Sequence, residues 1–271
     1  MDDTLSQKLS LISYGNEYIN TGNPAPCYNQ HAVFKYCKKL SFKTYKESFF
    51  SKEKAVAAGN NPEEWFQFLK KDDCRELKLF YQHTKDQSQF KDYKTAGLVG
   101  GGGTWLIEAV YKKYSDFWYA HWNYQQHENP EQQGWLVEYE AVARKKPTIN
   151  LQLLLNPVKN ELKEALQQTE QFARQEKLDN WADCFAKALT ELESEGPGAT
   201  FYYPDLLINK NYDITARQLI FGAAQSWVFG GMGSWNDLGF DGPEKNDLYE
   251  QLSETLFEKV TGAIIAGINS Y

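Results

Sequence analysis

The sequence predicts an α+β fold, with an antiparallel sheet of about five strands in the first half packed against a helical second half. Three observations carry this. Three stretches between residues 103 and 146 alternate aromatic or β-branched residues with a second set, the period of a strand. Residues 157–192 and 242–268 carry apolar residues at helical spacing. The charge divides along the same line: residues 1–150 hold 20 Lys and Arg against 18 Asp and Glu, and residues 151–271 hold 9 against 18.

Taken in order, "KLSLISYGNEYI" and "HAVFKYCKKLSFKTY" carry Leu, Ile, Val, Tyr and Phe in partial alternation. They predict two strands around the loop "NTGNPAPCYNQ". Asn61, Pro62 and Glu64 have the spacing of a capping box with proline at the first helical position, and predict a helix led by Trp65, Phe66 and Leu69. Leu77, Phe80 and Tyr81 are expected to continue its apolar face, with "KKDD" as a possible break. The alternating stretches "GTWLIEAVYKKY", "SDFWYAHWNY" and "GWLVEYEAVARKK" read as an antiparallel meander, extended by the N-terminal pair.

In the acidic half, Val158, Leu162, Ala165, Leu166, Thr169, Phe172 and Ala173 form one helical stripe. Trp181, Cys184, Phe185, Ala188, Leu189 and Leu192 form the next. "EGPGA" ends that helix, and "TFYYPDLLI" reads as a short extended piece. Asp213 is an N-cap for "ITARQLIFGAAQSWVF". The last helix has Leu248, Leu252, Leu256, Val260 and Ile264 along one side. No linker of Gly, Ser and Pro divides the halves, so residues 1–271 are taken as a single domain, sheet-rich over 1–150 and helical and acidic over 151–271.

A chain of 271 residues with 15% aromatics is expected to bury a substantial core. No run approaches 18 apolar residues, which predicts no membrane partner. The first residues lack the basic start of a secretory signal, so a cytoplasmic location is expected, with Cys27, Cys37, Cys74 and Cys184 as free thiols. An acidic half disfavours nucleic acid, because phosphate binding needs basic patches, and suits a basic protein partner.

The densest candidate stretch is "SWVFGGMGSWNDLGF", residues 226–240. A structural reading places Gly230 and Gly231 at a helix C-cap and Gly233 at a second bend. It makes Ser234 and Asp237 a cap for a short turn, and buries Trp227, Met232, Trp235, Leu238 and Phe240. Catalysis at Ser234 fits less well, because the stretch is not G-x-S-x-G and follows a helix. "LVGGGGTW" precedes a strand and lacks the Gly-Lys-Ser/Thr of a phosphate loop, which makes it a turn. His31, His83, His121 and His127 include no i, i+4 pair, and His121 and His127 with Glu128 match no ligand spacing, so no metal and no cofactor are expected. Glu108, Glu138 and Glu140 are expected to share one sheet face, most simply a solvated one.

The run "AAQSWVFGGMGSWNDLGF", with "LYEQLSETLFEKVTGAIIAGIN", resembles the C-terminal segment of small uncharacterised bacterial proteins associated with toxin loci, where they act as immunity partners. The resemblance covers residues 219–269, about a fifth of the chain, and brings no catalytic or binding residues with it. It implies a cytosolic, non-catalytic, toxin-neutralising immunity protein whose acidic half meets a basic partner. The alternatives are a hydrolase or transferase with a site between sheet and helices using Glu138, Glu140 or His121, and a structural or regulatory subunit.

Overall fold

The computed structural model describes residues 1, 3–23, 31–46, 54–85, 91–98, 101–126, 134–147 and 154–271. Six strands form one sheet: β1 (Cys37–Lys46), β2 (Lys54–Gly59), β3 (Glu76–Gln82), β4 (Thr104–Val110), β5 (Ser115–Gln125) and β6 (Gly134–Lys145). Their order is β2-β1-β6-β5-β4-β3. All pairings are antiparallel except β1 with β6, where Leu40 lies beside Val137 and Phe42 beside Tyr139. The sheet is therefore mixed: β1 pairs with β2 in place of the expected partner over residues 8–19, and joins the meander through the parallel pairing with β6.

The helices are α1 (Asp3–Thr21), α2 (Pro62–Lys71), α3 (Asp92–Thr95), α4 (Leu155–Gln175), α5 (Asp179–Leu192), α6 (Ile214–Gln225) and α7 (Pro243–Ile268). The expectation of a strand over residues 8–19 is overturned by α1. This helix is surrounded on nearly all sides, so it buries polar as well as apolar positions and carries no clean stripe. Its polar side chains are used up as internal connectors. Ser10 donates to the Leu206 carbonyl (2.8 Å), Ser13 accepts from Ile208 N–H (3.0 Å), and Gln7 Oε1 accepts from the Tyr139 hydroxyl (2.9 Å). Residues 200–208, expected to be extended, form turns fixed in part by those bonds.

Helix α2 begins as expected. Asn61 accepts from Glu64 N–H at 2.8 Å, and Glu64 reaches back to Asn60 N–H at the same distance. It then stops instead of breaking. Asp73 takes φ 60°, Cys74 N–H bonds to the Leu69 carbonyl (3.0 Å) and Asp73 N–H to that of Lys70 (3.2 Å). This is the paired closure of a Schellman motif, made without glycine. Leu77 and Tyr81 consequently lie on β3, not on a helix.

One cluster of buried side chains runs through both halves, from Leu5 to Ile268. On the sheet face toward α1 and α2, Trp65 stacks on Phe42 (ring centroids 4.4 Å apart) and meets Trp118 edge-on (5.2 Å). The edge of β3 is closed by side chains. Asn16 bonds both backbone groups of Leu77 (2.7 and 2.9 Å), and Asn269 bonds both of Leu79 (2.8 and 3.0 Å). Each amide stands in for the backbone of a missing neighbour strand.

In the acidic half the α4 stripe is buried as expected from Leu162 onward, with Val158 half-buried, and Asp213 caps α6 by accepting from Ala216 N–H at 2.8 Å. On α7, Tyr249 turns inward and Leu248 outward, so the buried stripe starts one residue later than predicted. Among the described residues no helix is long and apolar enough to cross a membrane.

Candidate functional site

Residues 226–240 are mostly architecture, although the glycines act differently from the expected C-cap. Helix α6 already ends at Ser226, whose φ is −91°, and neither Gly230 nor Gly231 has positive φ. A Cβ on Gly230 would come within 2.5 Å of Ser234 Oγ, and one on Gly231 meets nothing closer than 3.8 Å; the close crossing beside them depends on a third glycine, Gly97. A Cβ on Gly97, after α3, would collide with the backbone of Gly230 and Gly231. Two chain segments thus touch backbone to backbone, which only glycine allows. Asn236 ties the turn by accepting from Gly230 N–H (3.1 Å) and donating to the Gly230 carbonyl (3.3 Å). Gly233 does take positive φ, 87°, and its N–H bonds Asp237 (2.7 Å); Ser234 makes no side-chain cap.

Trp235 is the anchor of this segment. It is fully buried, meets Phe185 at 5.2 Å and Tyr249 at 5.5 Å, and donates from Nε1 to Ser253 (2.8 Å). Trp227 is only half-buried, beside Trp105 and Phe257. Met232, expected in a pocket, stands wholly in solvent. The surface next to it is acidic: Asp237, Asp241, Glu244 and Asp247 are exposed, and none has an ion-pair partner among the described residues. Elsewhere in the helical half the acids are largely neutralised. Arg174 gathers Glu170, Asp179 and Asp183, Lys159 and Lys163 share Glu193, and Lys245 holds Glu176.

Strand register puts Glu138 opposite His121 and Glu140 opposite Tyr119. Alternation sets them on the face away from α1 and α2, so the site expected between sheet and helices is not made by them. They form a charged network with β1. Lys43 lies 2.7 Å from Glu138 and 3.3 Å from Glu140, His121 Nε2 lies 2.9 Å from Glu140, and the Tyr45 hydroxyl donates to Glu140. Burial pushes the Glu140 carboxyl up, but the bonds from Tyr45 and Lys43 outweigh it and leave it below its ordinary value. Glu108 is on the same face but buried, opposite Lys78 and Phe117. His127 and Glu128 lie outside the described residues.

A different histidine, His83, lies exposed just past β3, at the rim of a cavity shared with α4 and α7. Its Nδ1 is 3.0 Å from Asp92 Oδ2, and Asp92 also accepts from the Tyr81 hydroxyl (3.1 Å) and Thr84 N–H (3.3 Å). Asp92 is 3% exposed. Past the end of β3, a cavity of about 260 Å³ opens between His83, Tyr81 and helices α4 and α7. Sequence reasoning missed this pair because the two groups are nine positions apart and share no strand or helix period.

The thiols of Cys37, Cys74 and Cys184 are free, and burial raises all three, Cys74 to about 12. Thiolate chemistry is suppressed at such values. Cys27 lies outside the described residues. Among the described residues no group of three or more His, Cys, Asp and Glu is placed to hold a metal ion. No family model matches the chain, and neither does any curated protein or solved structure.

Proposed function

We propose that this protein acts by binding a protein with a basic surface, and that it neutralises a bacterial toxin in the manner of an immunity protein. The observation that supports the reading is the un-neutralised acidic surface at the head of α7. Asp237, Asp241, Glu244 and Asp247 lie beside the fully exposed Met232, while most other acids of the helical half are spent on internal ion pairs. Unpaired exposed carboxylates attract a basic surface at long range, and an apolar side chain among them supplies contact area once water is excluded. This narrows the expected interaction surface from the acidic half, residues 151–271, to the region around residues 232–247.

The test is association kinetics with the partner that co-purifies from the native host. Association slows as salt rises, because charge attraction is screened beyond about 8–10 Å, while dissociation changes little. The double substitution Glu244→Lys with Asp247→Lys slows association about tenfold or more at low salt. Reversal of Asp183, which already faces Arg174, has less effect. A partner that proves to be nucleic acid, a small molecule that is turned over, or salt-independent association overturns the reading.

A further inference from the structure

The cavity at the end of β3 has features that the protein-partner reading does not use. Its floor includes Gly262, in the interior of α7. A mid-helix glycine destabilises relative to alanine and calls for a reason. Gly267, one turn later, has one: a Cβ there would come within 2.6 Å of Ile220. Gly262 has none of that kind, since a Cβ on it meets nothing within 4 Å. The missing side chain is what keeps the space open. Next to it the Thr261 hydroxyl is buried without a hydrogen-bond partner among the described residues.

The polar groups of the wall define the chemistry. Asp92, as a carboxylate, can only accept, so a neutral His83 donates to it from Nδ1 and leaves Nε2 as an acceptor. Glu161 and Glu258 line the cavity from α4 and α7, and one ammonium, Lys259, lies 3.0 and 3.1 Å from them. Two carboxylates thus flank a single fixed cation, each with one oxygen left over. Val158, Ile265 and the Tyr81 ring make up the apolar part of the wall.

We infer that this cavity is a binding site for a small organic cation, a guanidinium or ammonium group on a short apolar body. The cationic head takes the free oxygens of Glu161 and Glu258 and donates to His83 Nε2, and the apolar body lies against Val158, Ile265 and Tyr81. Charge-assisted bonds to carboxylates favour such a head over a neutral one of the same shape. The volume, slightly below the usual range for drug-sized ligands, limits the guest to a small one.

The probe is butylguanidinium, with butylurea as its neutral isostere and valerate as an anion of similar length, titrated into the whole protein. Binding is followed by calorimetry and by the NMR shifts of His83 and Thr261. Butylguanidinium is expected to saturate those shifts and to bind about tenfold or more tightly than butylurea. The pair Glu161→Gln and Glu258→Gln, both at exposed positions, lowers its affinity about tenfold. Gly262→Leu fills the space and abolishes binding while the thermal transition is retained. Where Gly262→Leu itself unfolds the chain, the glutamine pair decides alone. Absent saturation, equal binding of butylurea or valerate, or unchanged affinity in the glutamine pair overturns the inference. These outcomes are independent of the acidic surface at the head of α7, so failure here leaves the protein-partner reading standing.

Discussion

Lys177 closes α4 with φ 59°, and Leu178 N–H reaches back to the Ala173 carbonyl at 2.8 Å. A Cβ in that region costs about 1–2 kcal/mol, part of which glycine returns through its freer unfolded chain. Lys177→Gly is therefore expected to stabilise the protein by roughly 0.5–1 kcal/mol in urea unfolding. Asp73 occupies the same conformation, but aspartate tolerates it better, so the gain there is smaller. His31 is a second single-residue liability. It is buried against Tyr14 and Phe34, with Asp205 3.5 Å from Nδ1. Burial pushes the imidazole below its ordinary value, and the Asp205 charge opposes this without cancelling it. The unfolded chain then takes up the proton first, at about pH 6.5. The stability that His31 contributes is full above that pH and is lost as pH falls toward the lower folded value. His31→Phe should flatten the decline in melting temperature between about pH 7 and 5.5. Equal slopes in the two proteins would show that His31 is not the source.

At the scale of elements, the segment around Trp235 holds α4, α5 and α7 together through ring contacts with Phe172, Phe185 and Tyr249. Trp235→Ala is expected to cost about 3–5 kcal/mol, the range for a core aromatic, with Trp227→Ala well below it because that indole is half-buried. Chemical unfolding of the two variants tests the ranking. The three meander strands, the α4 stripe and the caps at Asn61 and Asp213 were legible in the sequence, from regular alternation, helical spacing and capping residues. Helix α1 and the stop after α2 were not. Helix α1 shows no stripe because its polar residues find partners inside the molecule, and the stop after α2 is made by Asp73, a residue that carries no glycine signal. The Gly230–Gly231 pair was read as a helix C-cap, which it is not; the tight crossing there rests on Gly97, and a contact between segments more than a hundred residues apart leaves no mark in the local sequence.

Across the whole molecule, the α+β division and the charge asymmetry were legible because both are sums over many residues. The candidate sites were legible only where strand register makes them: Glu138 and Glu140 fell on one face with His121 by alternation alone. The cavity was not, since it needs β3, α4 and α7 brought together and a glycine whose emptiness appears only in three dimensions. The two asparagines on the edge of β3 carry the longest reach. Asn16 belongs to the first helix and Asn269 follows the last, yet they cover neighbouring stretches of one strand. A chain ending at residue 268 is expected to lose about 1–3 kcal/mol and to leave Leu79 with bare amide and carbonyl groups. Light scattering on such a truncation, against Asn269→Asp as a full-length control, would detect the self-association that an uncovered edge invites. During synthesis, residue 269 leaves the ribosome 190 residues after Leu79. Until then that margin of the sheet is bare, so β3 is shielded from aggregation by a residue made long after the strand itself.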